Sequence, residues 1–154
     1  IMKRISKAFL VGTSLAYLAV LFYTYAYFAE LSVVKIKLLD NQIQFSNNTL
    51  FYTGLIIPLV IVLICVALAI VIKSQPIGPN FYFKNEKARN TLANWARSLA
   101  GTFNLFFASF LSVFIFVNNE EGLTQSGYLP LIILSLLIIF FWVLWLPFIL
   151  RRNK

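Results

Sequence analysis

Lys84-Asn85-Glu86-Lys87-Ala88-Arg89-Asn90 is the stretch that decides the fold. It follows a Pro/Gly-broken connector, Pro76-Ile77-Gly78-Pro79, and runs without a helix breaker toward an apolar segment that starts near Ser98. Residues 76–117 therefore predict a connector followed by one helix with two environments, the alternative being a separate interfacial helix over Lys84–Arg97 ahead of the third span. The first part is basic and amphipathic: Ala88, Leu92, Trp95, Ala96 and Leu99 share one face, with Lys84, Lys87 and Asn94 mostly on the other. The second part is apolar. Further long apolar runs flank this helix, two before and one after.

The chain has 154 residues, of which 60% are hydrophobic and only 12% charged. An ordinary soluble domain is about 25% charged. The apolar residues fall in four blocks instead of recurring at the period of a soluble core, which is the membrane pattern. The expected fold is a single all-α integral membrane domain over 1–154, a bundle of four transmembrane helices at about 8–29, 50–72, 98–117 and 128–150. A basic start before an apolar run can mark a signal peptide. Here the run is long and ends in Tyr23, Tyr25, Tyr27 and Phe28, an aromatic cluster suited to a membrane interface, so a retained first helix is expected.

The loop 30–49 alternates apolar and polar residues on either side of Asp40-Asn41, two good turn formers. It predicts a short β-hairpin whose apolar positions Val34, Ile36, Leu38, Ile43 and Phe45 offer an edge to a partner. Asn47-Asn48-Thr49 matches the glycosylation sequon, a pattern common by chance. In the second run, Gly54 and Pro58 predict a kink, which a membrane helix tolerates when a neighbour satisfies the freed carbonyl. In the third, Ser98, Gly101, Thr102, Leu105, Ala108, Ser109 and Ser112 fall on one face. Small residues there predict a packing seam in which Ser and Thr bond across helices. A polar conduit around Asn104 is the alternative.

Charge orients the bundle. Of the 13 Lys and Arg, all but Lys35 and Lys37 lie at the N-terminus, in the loop 73–97 or at the C-terminus. Of the 5 acidic residues, all but Glu86 lie in the other two loops. By the positive-inside rule both termini and the loop 73–97 are cytoplasmic. Lys84, Lys87, Arg89, Arg97, Arg151 and Arg152 are expected to anchor anionic lipid headgroups, and the hairpin and acidic loop to face outward. The same distribution argues against nucleic acid as a partner, because the basic residues follow the ends of apolar blocks.

Chemistry-bearing groups are sparse. Histidine is absent and the single cysteine, Cys65, sits mid-block. Paired carboxylates within a span, a Gly-rich phosphate loop and a Cys/His cluster are missing from the sequence. No cofactor is expected, and the pattern points away from an enzyme. The expected role is an accessory or assembly subunit of a larger membrane complex. The alternatives are an immunity or resistance protein against a toxin or peptide, and a small transporter or channel subunit. The Phe-, Ile- and Asn-rich composition suits a bacterial cytoplasmic membrane.

Overall fold

A computed structural model describes residues 2–30, 33–38, 41–118 and 125–151. Four helices dominate it: α1 (Met2–Tyr27), α2 (Asn47–Ser74), α3 (Glu86–Asn118) and α4 (Gln125–Arg151). Each is long and apolar enough to cross a membrane. Between α1 and α2, β1 (Val33–Leu38) pairs antiparallel with β2 (Asn41–Ser46), Val34 opposite Phe45 and Ile36 opposite Ile43.

The helix ends follow from local chemistry. Ser46 adopts an extended backbone and its Oγ accepts the Thr49 N–H at 3.1 Å, so α2 starts at Asn47, ahead of the expected residue 50. The sequon thus lies in the first turn of a helix. Gln75, which precedes Pro76, is held extended and stops α2. Asn85 Oδ1 accepts the Ala88 N–H at 2.8 Å and opens α3. The helix then continues unbroken to Asn118, so residues 86–97 are helical and the loop assigned to 73–97 shrinks to a short connector. That connector folds back on itself. Gly78 N–H donates to Phe83 O at 3.0 Å and Phe81 N–H to Gly78 O at 3.1 Å. Of the aromatic triplet, Phe81 and Tyr82 stay exposed while Phe83 is buried against Ala69, Ile72 and Ala88.

α3 is the hub, packing against each of the other three helices. Contacts with α1 climb together along both chains (Ser6 with Asn94, Ser14 with Asn104, Tyr17 with Phe107), so these two helices run parallel. α4 runs antiparallel to α3, with Trp142 beside Trp95 and Ile149 in the cluster that holds Ala88. α2 is antiparallel too, with Gly54 near Leu111 and Ala69 in the cluster of Ala93 and Ala96. Ala93, Ala96 and Ala100 are fully buried; their small side chains let another backbone approach α3 closely.

Two apolar clusters hold the ends together. One joins Ala69, Ile72, Phe83, Leu92, Trp95 and Ile149. The other joins Tyr17, Leu21, Phe28, Val34, Leu50 and Phe114. Val34 is fully buried in the second cluster and Phe45 packs against it, so these two side chains seal the end of the chain's own bundle and are not part of a free edge. The side chains of Ile36, Leu38 and Ile43 lie outside the described residues, as do Arg152, Glu120 and Glu121. Only 17% of the most apolar window of α2 and 11% of that of α4 are buried within the chain. Apolar surface on that scale needs a lipid or protein cover, and the protein is integral to a membrane.

Candidate functional site

The polar side chains of the bundle gather along the line where α3 meets α1 and α2. Ser6 Oγ donates to Asn94 Oδ1 at 3.3 Å, and Arg97 Nη1 donates to the same oxygen at 3.3 Å. Two turns further on, α1 crosses directly over Gly101. A Cβ at Gly101 would come within 2.6 Å of the Phe9 ring and 3.1 Å of Thr13 Oγ1. Beyond it Asn104 Nδ2 donates to Ser14 Oγ at 2.9 Å, and Ser14 in turn donates to Leu10 O at 2.8 Å. Last comes the Tyr17 hydroxyl, which donates to the Gly54 carbonyl. Gly54 lies four residues before Pro58, whose missing N–H would otherwise have bonded that carbonyl.

The expected seam divides. Gly101 and Thr102 are buried, and Ala108 packs against the cluster around Tyr17 and Leu111. Leu105, in contrast, is 36% exposed, and Ser98, Ser109 and Ser112 are only half-buried. The hydroxyls do not bond across helices as expected. Thr102, Ser109 and Ser112 donate to the carbonyls of Ser98, Leu105 and Ala108, one turn back on their own helix. A helix interior offers Ser and Thr that i−4 acceptor locally, at the cost of a slight bend in the helix. The inter-helix bonds come instead from Asn104, which the sequence analysis weighed only for a conduit, and from Ser6, Ser14, Tyr17 and Asn94, which it did not weigh as bonding groups. One signal did exist, the four-residue spacing of Gly54 and Pro58, which predicts an orphan acceptor.

The basic anchors also divide. Lys84, Lys87 and Arg151 are exposed. Arg89 is half-buried, and its Nη1 donates to Gln75 O at 3.0 Å, beyond the last turn of α2, where helix carbonyls favour a cation. Arg97 is 9% exposed, in contrast to the open position expected of a headgroup anchor. Three residues after Asn94, it is turned inward with that amide, which accepts from its guanidinium.

A cleft of about 1070 Å³ opens beside this line, at the end of the bundle where α3 begins. Among the described residues α1 and α4 make at most marginal contact, so part of α3 stays uncovered between them. Lys87, Thr91, Asn94 and Ser98 form the floor, Ile5 and Phe9 one wall, Trp142, Trp145 and Phe148 the other. Trp95 and Trp142 lock that second wall to the floor: Trp95 Nε1 donates to Trp142 O at 3.0 Å, and Trp142 Nε1 to Trp95 O at 3.5 Å. Among the described residues no three His, Cys, Asp or Glu side chains come together.

No protein-family profile, curated protein sequence or solved structure matches the chain. The arrangement can therefore be read only from its own groups, which are amides, hydroxyls, indoles and cations suited to holding things in place.

Proposed function

We propose that the protein is a non-catalytic membrane subunit that works through contacts, an accessory or assembly component of a larger membrane complex. The observation that carries this reading is how the polar side chains within the helices are used. Asn94, Asn104, Ser14 and Tyr17 each bond within the chain and tie α1, α2 and α3 together. That leaves the outer faces of α2 and α4, rich in exposed Leu, Ile and Phe, as the surfaces offered to other molecules. Asn104, at 2% exposure and bonded to Ser14, supports packing over a conduit.

In this reading the end that carries Arg4, Lys7, Lys73, Lys87 and Arg151 faces the cytoplasm of a bacterial cell, by the positive-inside rule. The strand pair β1–β2 then lies on the opposite side. Purification in mild detergent should co-isolate a second membrane polypeptide at fixed ratio. A clean monomer with an intact fold would sink the subunit reading.

A further inference from the structure

We propose that the cleft between α1 and α4 holds one anionic phospholipid, its phosphate at Lys87 and an acyl chain lying between Phe9 and Trp145. This depends on the bundle lying in a membrane and is independent of the subunit reading.

Three features of the cleft converge on that occupant. The first is length. The floor runs from Lys87 to Ser98 along α3, about 16 Å at ~1.5 Å per residue. A hydrocarbon core of about 30 Å gives each leaflet roughly half of that. The apolar, membrane-length part of α3 runs from Glu86 to Phe116 and not only over 98–117, so the trench matches one leaflet in length. The second is the order of its lining. The lining's one cation, Lys87, stands at the end where α3 begins, and apolar walls of Phe9, Trp142, Trp145 and Phe148 rise over a floor that stays polar at Asn94 and Ser98. A molecule with a charged head at one end and an apolar body matches one cation at the mouth of apolar walls. The cleft's volume of about 1070 Å³ is just above the roughly 300–1,000 Å³ of small-molecule sites.

The third feature is charge. Arg4 and Lys7 on α1, Lys87 on α3 and Arg151 at the end of α4 are all exposed at this end. Glu86 is the one acidic residue there among the described residues. A neutral transmembrane helix seated in the trench would leave these cations without an anion. A phosphodiester answers them, and each basic residue near an anionic lipid surface adds measurable attraction.

All three tryptophans of the chain line the cleft and report on it without labelling. The full chain is reconstituted into phosphatidylcholine nanodiscs that contain, at equal mole fraction, either phosphatidylglycerol or phosphatidylcholine with brominated acyl chains. The expected result is stronger tryptophan quenching by the brominated phosphatidylglycerol. Native mass spectrometry should show one phosphatidylglycerol retained. Lys87→Gln, at an exposed position, should weaken the preference about fivefold. Ser98→Phe, which fills the deeper end, should abolish the excess quenching while circular dichroism stays helical. Equal quenching by the two lipids would overturn the proposal. So would a preference untouched by both substitutions, or a co-purified polypeptide that shields the tryptophans from both lipids. Partner co-purification that survives Lys87→Gln separates loss of the lipid from loss of the subunit role.

Discussion

The Tyr17 hydroxyl on α1 donates to the Gly54 carbonyl on α2, the acceptor that Pro58 leaves without a helical partner. A defect in one helix is thus repaired by a side chain from another, in a region where water cannot do it. Tyr17 and Gly54 also sit against Leu21 and Leu111, so the bond closes a packed junction of α1, α2 and α3.

Tyr17→Phe should therefore destabilise the bundle by about 1 kcal/mol, within the range measured for hydrogen bonds between membrane helices. Pro58→Ala restores the backbone donor. In that background the cost of Tyr17→Phe should shrink, because Gly54 then has its own helical partner. Unfolding in mixed micelles, run as a double-mutant cycle, reads both effects.

Two glycines on the facing helices should behave oppositely. Gly101→Ala forces a methyl against the Phe9 ring and Thr13, an overpacking that costs roughly 1–3 kcal/mol. Gly12→Ala meets nothing within 4 Å and removes a flexible residue from a helix interior, so it should stabilise by about 0.5–1 kcal/mol. Thermal midpoints in one detergent give the two signs directly.

Asn104→Leu removes the bond to Ser14 at a buried position. The expected outcome is a loss of about 1 kcal/mol in stability with no change in solute flux into proteoliposomes. Lost flux at unchanged stability would instead favour the conduit.

Arg97→Met separates an inward-facing side chain from a headgroup anchor. Ser6 still donates to Asn94 after the change, and an apolar chain of similar length fills the space. Replacing a buried charge in this way is often neutral or stabilising. Stability should shift by less than about 1 kcal/mol, and binding to anionic vesicles should fall less than for Lys87→Gln.

The four apolar blocks made the number and order of the helices legible, and the absence of Gly or Pro before Ala100 made the early start of α3 legible. The faces of α3 were harder. Ser98, Ser109 and Ser112 look alike in sequence to Gly101, yet Gly101 lies beneath Phe9 and the serines are only half-buried. Asn94 and Arg97 looked solvent-facing because Lys84 and Lys87 precede them. A helix with three neighbours has little free surface: Ser6 on α1 bonds Asn94, and Arg97 turns in to the same amide. The orphan carbonyl of Gly54 could be read from its spacing to Pro58. Its donor could not, since Tyr17 lies 37 positions away on another helix.

The central place of α3 also sets a timetable for biogenesis. α1 and α2 meet chiefly through Tyr17 with Gly54 and an aromatic group of Phe22, Tyr25 and Phe51 at one end. Both leave the ribosome before α3, the helix on which each does most of its packing. Until α3 is inserted, Asn94 and Asn104 have not yet arrived to bond Ser6 and Ser14. A nascent chain halted before α3 would expose an unfinished pair of spans, so commitment to the folded state waits for α3.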